Sequence, residues 1–182
     1  MVYLFANPKI ISIIFVRMRT RLWDEMMQCK HNHYYSLYVL EQKKNAIKWF
    51  TILTLAFSGT GGIMGWTIWK SFPLYACIVI SLLQLSKLLQ THLIPTDKEI
   101  EKLNKVISFY FDYFNKLEQL WYDLYNKRLN DEEAQAKFYL INGSQKEIND
   151  IVNEVIKKKV NKKFYNKAAI ETNSYVNRTF NS

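Results

Sequence analysis

Between Trp49 and Ile94 the chain carries two apolar runs with almost nothing between them, and that stretch limits the available folds more than any other. The first run, Trp49 to Trp69, is twenty-one residues without a charge. About 20 apolar residues suffice for a helix to cross a hydrocarbon core of roughly 30 Å. The second runs from about Phe72 to Ile94. The connection Lys70-Ser71-Phe72-Pro73 is too short to be a domain. The pattern predicts a hairpin with both ends on one side of a membrane. The expected fold class is an all-α membrane protein: a two-helix transmembrane hairpin (49–94) with long cytoplasmic helices, assembled as an oligomer.

Charge sits at the ends. The formal net charge is +9, and nearly all Lys and Arg lie outside the two runs. Such a balance favours anionic partners such as lipid headgroups, nucleic acid or nucleotides. Cys29 and Cys77 are the only cysteines, and Cys77 falls inside the second run, so no mutual disulfide is expected.

Residues 1–19 form an apolar and basic lead. Ile10 to Val16 is too short to span, and Arg17, Arg19 and Arg21 follow it. The lead lacks the basic start and small-residue cleavage site of a signal peptide. It reads as an interfacial or frayed segment, or as sequence upstream of a start at Met18. Residues 20–48 read as a cytoplasmic amphipathic helix that continues into the first span. Trp23, Met26 or Met27, Lys30, Tyr34, Leu37 and Tyr38 recur at three- and four-residue steps and are expected on one face. Cys29, His31 and His33 invite a metal reading, but residues two apart on a helix point about 200° from one another, so no metal site is expected there.

The first span contains two small-xxx-small pairs, Gly61 with Gly65 and Ser58 with Gly62. Small residues let membrane helices approach closely, so this face is expected to pack against another helix. Trp49, Trp66 and Trp69 sit where aromatic belts form. In the second span Ser81, Gln84, Lys87 and Thr91 trace a polar stripe. Polar groups inside a bilayer usually face a bundle interior or water, which makes these four candidate pore-lining residues. The competing reading ends the span near Leu85 and lets Lys87 snorkel to the headgroups. Lys30, Lys43, Lys44 and Lys48 precede the hairpin, Lys98, Lys102 and Lys105 follow it, and only Lys70 lies in the turn. The positive-inside rule then places both termini in the cytoplasm of a bacterial inner membrane.

After Pro95, Thr96-Asp97-Lys98-Glu99 reads as a capping box. The helix it opens (96–129) carries a heptad seam: Ile100, Leu103, Ile107, Tyr110, Phe114, Leu117, Trp121 and Leu124. Such a seam predicts a coiled coil, against the 20–48 helix or against copies of itself. Residues 130–160 read as C-terminal helices. Asn130-Asp131 breaks or caps the previous helix, and a shorter one follows to Ile141. Asn142-Gly143 is read as a turn, and Ser144-Gln145-Lys146-Glu147 as a second capping box. Ile148, Ile151, Val152, Val155 and Ile156 give the next helix its apolar face. The basic run Lys157, Lys158, Lys159, Lys162, Lys163 and Lys167, interleaved with Phe164 and Tyr165, has three readings: a solvated face, a lipid-binding site or a polyanion-binding site. Residues 161–182 read as a basic, polar tail.

No Gly-rich phosphate loop, zinc-spaced Cys/His array or nucleophile–base set stands out, so neither enzyme activity nor a cofactor is expected. A lead-in helix with Trp23, the two spans and the Pro95-Thr96-Asp97 junction, covering about Leu22 to Arg128, together resemble the SLATT family of bacterial two-transmembrane effectors. That resemblance implies an oligomeric pore in anti-phage defence, acting by membrane depolarisation beside a nucleotide-signal synthase. One similar group, the membrane effectors of Hailong-type systems, implies gating by a DNA oligomer from a partner nucleotidyltransferase; a cyclic nucleotide is the other ligand class implied. The rival reading is a non-conducting membrane anchor that presents a coiled coil. A third is a toxin that permeabilises the membrane without a ligand.

Overall fold

The protein is described from a computed structural model. It describes residues 8–60, 74, 78, 81, 84–85, 95–156 and 160–180, with the side chains of 8–17 and 56–60 set aside. The described residues are all-α, with five multi-residue helices: α1 (Pro8–Thr60), α2 (Asp97–Tyr125), α3 (Asp131–Gly143), α4 (Gln145–Val155) and α5 (Lys162–Phe180). Residues 74, 78, 81, 84 and 85 are also helical. The chain divides into two compact units, one of Met1–Tyr38 with Lys102–Ser182, the other of Val39–Glu101.

In the first unit, Leu22, Met26 and Cys29 of α1 pack against Tyr113, Phe114, Leu117, Leu120 and Leu124 of α2 and against Ala134 and Phe138 of α3. The buried residues of α1 are Leu22, Met26, Cys29, Tyr35, Ser36 and Leu40, while Trp23 and Met27 of the predicted face pack half-buried against the same core. Of that face only Met26 is fully buried, and Leu37 is exposed. The half-buried Lys30 lies among aromatic rings: its ammonium is 4.0 Å from the Phe114 ring centroid and 3.8 Å from that of Tyr175, a cation–π arrangement. Burial lowers its pKa, partly offset by the Glu118 carboxylate.

Along α2 the predicted heptad residues Leu103, Phe114, Leu117 and Leu124 are buried, but so are Val106, Tyr113 and Leu120. The stripe is wider than a two-stranded seam because α2 is packed against several helices of its own chain. A polar cluster ties four of them together. Tyr113 Oη lies 3.2 Å from Glu25 Oε1 and 3.3 Å from Asn142 Oδ1. The Gln145 amide donates to Tyr113 Oη at 2.7 Å and also to Glu25.

The helix ends follow local chemistry. Asn130 and Glu133 form a reciprocal capping box that starts α3. The second box expected at Ser144 does not form. Ser144 has αR backbone angles, φ −69° and ψ −17°, and its hydroxyl donates backwards to the Ile141 carbonyl at 2.7 Å. Asn142 and Gly143 belong to α3, so α3 passes into α4 through this single residue, with no separate turn.

Residues 161–182, expected as a tail, contain α5. It fully buries only Ala168 and Thr172 and runs antiparallel to α1. The Asn161 N–H donates to Tyr35 Oη at 3.2 Å, His31 Nε2 lies 3.1 Å from the Tyr165 carbonyl, and Phe180 packs edge-on to Trp23 at 5.1 Å. The two buried residues of α5 are thus small, and aromatic contacts flank them toward both ends of the helix.

Among the described residues, no helix is long and apolar enough to cross a membrane. Most of the two candidate spans, 61–73 and most of 75–94, lies outside those residues.

Candidate functional site

The second unit holds the ends of the candidate hairpin. Lys43 Nζ on α1 lies 2.7 Å from Glu99 Oε2 at the start of α2, across 56 residues of sequence. The chain that leaves along α1 thus returns to the same place. Glu99 is presented there by the α2 N-terminus, where its backbone N–H donates to Thr96 Oγ1 at 3.2 Å. That is the forward half of the predicted box; the Glu99 carboxylate is engaged by Lys43. The ion pair is partly sheltered on the lysine side, 18% exposed against 47% for Glu99.

On α1 the surface changes character at one step. From Glu41 to Lys48 the exposed residues are Glu41, Gln42, Lys44, Asn45, Ala46 and Lys48. From Trp49 onward they are Trp49 (65%), Ile52, Leu53 and Leu55 (65%), with Thr51. The hydroxyls in this stretch turn inward to the helix. Thr51 donates to the Ile47 carbonyl and Thr54 to the Phe50 carbonyl, each at 2.9 Å, which satisfies both without water. Leu74 (71%), Ile78, Ser81 and Leu85 follow at steps of four, three and four, and all are exposed helical residues. The exposed residues of α1 beyond Lys48 are thus mainly apolar, and those described between 74 and 85 are the apolar Leu74, Ile78 and Leu85 with the polar Ser81 and Gln84.

Of the predicted pore-lining set, Ser81 and Gln84 are exposed and helical, while Lys87 and Thr91 lie outside the described residues. Of the packing set, Ser58 lies within α1 with its side chain set aside; Gly61, Gly62 and Gly65 lie outside. So do Trp66, Trp69, Lys70, Cys77 and His92.

The basic run belongs to the first unit. Lys157, Lys158 and Lys159 are outside the described residues. Lys162 and Lys163 are exposed in the first turn of α5, which contains no acid, so their charge adds to the positive end of the helix dipole. Lys167 Nζ sits 5.2 Å from the Tyr38 ring centroid, and Tyr38 is stacked on Phe164 at 6.2 Å. Tyr38 and Tyr35 are thus the α1 residues that hold the basic end of α5, a role invisible in a search for charge alone.

Cys29, His31 and His33 face three separate partners. The Cys29 thiol donates to the Tyr110 carbonyl at 3.1 Å, His31 meets Tyr165, and His33 Nδ1 lies 3.2 Å from the Ile107 carbonyl. Burial, reinforced by the Glu25 carboxylate, pushes the Cys29 thiol pKa far up. Among the described residues no cluster of His, Cys, Asp or Glu is placed to hold a metal ion. The chain matches no protein-family model, no curated protein and no solved structure.

Proposed function

We propose that this chain is an oligomeric membrane pore of the bacterial inner membrane, with Trp49–Ile94 crossing as a hairpin and both termini in the cytoplasm. The observation that carries the reading is the abrupt change on α1 from charged to apolar exposed residues at Lys48/Trp49. The Lys43–Glu99 pair supports it, since it joins the two ends of that segment. The second span lines the conduction path with Ser81, Gln84, Lys87 and Thr91, and the first packs through Ser58, Gly61, Gly62 and Gly65. In keeping with the resemblance to SLATT effectors, the pore acts in anti-phage defence by depolarising the membrane. A nucleotide or DNA oligomer, made by a partner nucleotidyltransferase, gates it. The basic residues Lys157, Lys158, Lys159, Lys162, Lys163 and Lys167 are the candidate contact for that anion or for anionic lipid. A gating ligand must bind the open and closed states unequally, or it shifts nothing.

The test is membrane potential in cells induced for the wild type and for Gln84→Leu with Lys87→Leu, at matched membrane abundance. Loss of potential with the wild type and its retention with the variant is the expected result. Equal loss of potential with both removes Gln84 and Lys87 from the conduction path, and retained potential with both, with expression intact, favours the non-conducting anchor instead.

A further inference from the structure

A cavity lies in the first unit where the end of α2 meets α1. Its volume is about 140 Å³, and Arg19 of α1 lines it with Trp121, Leu124 and Tyr125 of α2. Its walls are fixed by contacts made elsewhere. Leu124 is 3% exposed and belongs to the core. The Trp121 ring lies 5.1 Å from that of Trp23, which meets Phe180 edge-on at 5.1 Å. Tyr125 ends α2 at 69% exposure, so it forms the solvent side. The turn just beyond it is closed by backbone bonds. The Arg128 N–H donates to the Asp123 carbonyl at 2.9 Å and the Lys127 N–H to the Leu124 carbonyl at 3.3 Å, with Lys127 left-handed at φ 56°. This is the closure of a Schellman-type helix end. A cavity formed in advance in this way suits a small ligand.

The lining says what kind of ligand. Trp121, Leu124 and Tyr125 are apolar or aromatic, and Arg19 brings a guanidinium whose Nε is buried. An apolar cavity of about 150 Å³ takes up a benzene ring. The space here therefore suits one ring, and a purine nucleoside or a long acyl chain is too large for it. Tryptophan and tyrosine offer flat faces against which a ring packs. A guanidinium is a planar fork that matches a carboxylate or a phosphate. The nearby charges agree. Lys127 and Arg128 follow directly after Tyr125 and are exposed, and the Asp123 carboxylate already lies 3.6 Å from Arg128.

We propose that this cavity binds a small anion built on one aromatic ring. The ring lies against Trp121 and Tyr125, and its anionic group meets Arg19. An aromatic carboxylate and a pyrimidine nucleotide share that chemistry. The site is separate from the basic run of α5, and it does not depend on the pore reading.

The experiment uses the full chain, purified in detergent. It is titrated with benzoate, with thymidine monophosphate and with the neutral benzamide, and binding is read by saturation transfer to the ligand protons. At least one of the two anions is expected to bind, and which one does so identifies the source of the ligand; benzamide is expected to bind far more weakly. Arg19→Gln, checked for unchanged helix content, is expected to weaken the anion about thirtyfold, as loss of a charged hydrogen-bond partner does, and to leave benzamide unchanged. Arg21→Gln, two residues along the same helix and exposed, is expected to change neither. Failure of both anions to bind the folded wild type overturns the site, as does equal anion binding by Arg19→Gln. Should Arg19→Gln alter the fold, Tyr125→Ala at its exposed position carries the comparison: weakened binding supports the site and undiminished binding overturns it.

Discussion

Lys43 and Glu99 meet at 2.7 Å although 56 residues separate them. The pair is half open to solvent on the glutamate side, so its energy is small. An ion pair of this exposure couples by about 0.2–1 kcal/mol. Lys43→Glu and Glu99→Lys should each destabilise the protein, and the doubly swapped variant should recover most of the loss. A double-mutant cycle of denaturation midpoints measures the coupling. Strictly additive effects would show that the pair does not hold the two ends together.

Tyr113 is the hinge of the polar cluster with Glu25, Asn142 and Gln145. Burial raises its pKa strongly, and the Glu25 carboxylate adds to the effect, so it remains a neutral hydroxyl. Tyr113→Phe keeps the ring and removes its hydroxyl from the cluster, while Gln145 still donates to Glu25. A loss of about 0.5–1.5 kcal/mol follows, the net worth of a partly buried hydrogen bond. Urea denaturation of the variant against the wild type reads it directly.

The face of α1 that enters the core shows how much was legible. The helix itself was readable, because no Pro or Gly interrupts residues 20–48. Large apolar residues point to Trp23 as the inward position, whereas Leu22 is the fully buried one, together with Cys29 and Ser36, small side chains that carry little apolar signal. The same reasoning explains α5. Its buried residues, Ala168 and Thr172, carry little apolar signal, and Phe164, Ala168, Thr172 and Tyr175 at steps of four, four and three were the available clue. Ser-x-x-Glu marks a helix start where the chain enters from an extended conformation, and at Ser144 it enters from another helix in αR geometry. For α2 the apolar stripe was readable; its division into an inward and an outward face required knowing that α1, α3 and α5 supply the inner partners.

His33 gives a pH dependence with a definite sign. Burial is the main cause of its lowered pKa, partly offset by the hydrogen bond to Ile107. The folded state therefore binds the proton less readily than the unfolded chain, whose histidine titrates near 6.5. Stability is complete above that value and falls as pH drops below it, until the folded histidine is itself protonated. His33→Gln should flatten the stability profile between about pH 7 and pH 5. Thermal midpoints across that range are the measurement.

Cys29 should be inert in the native protein. Its thiol is buried and its thiolate strongly disfavoured, and the thiolate is the reactive form. In a Cys77→Ser background, maleimide labelling should be slow until denaturant is added. Rapid native labelling would contradict the packing of α1 against α2.

The most direct test of the central claim is the sidedness of the Trp49–Ile94 segment in intact cells. Single cysteines at Lys48, Ser71 and Lys98 are exposed to a membrane-impermeant maleimide before and after permeabilisation, in a Cys77→Ser background. The account predicts labelling of Ser71→Cys from outside, and of Lys48→Cys and Lys98→Cys only once the membrane is opened. Labelling of all three only after permeabilisation, or recovery of the protein in the soluble fraction, would contradict it.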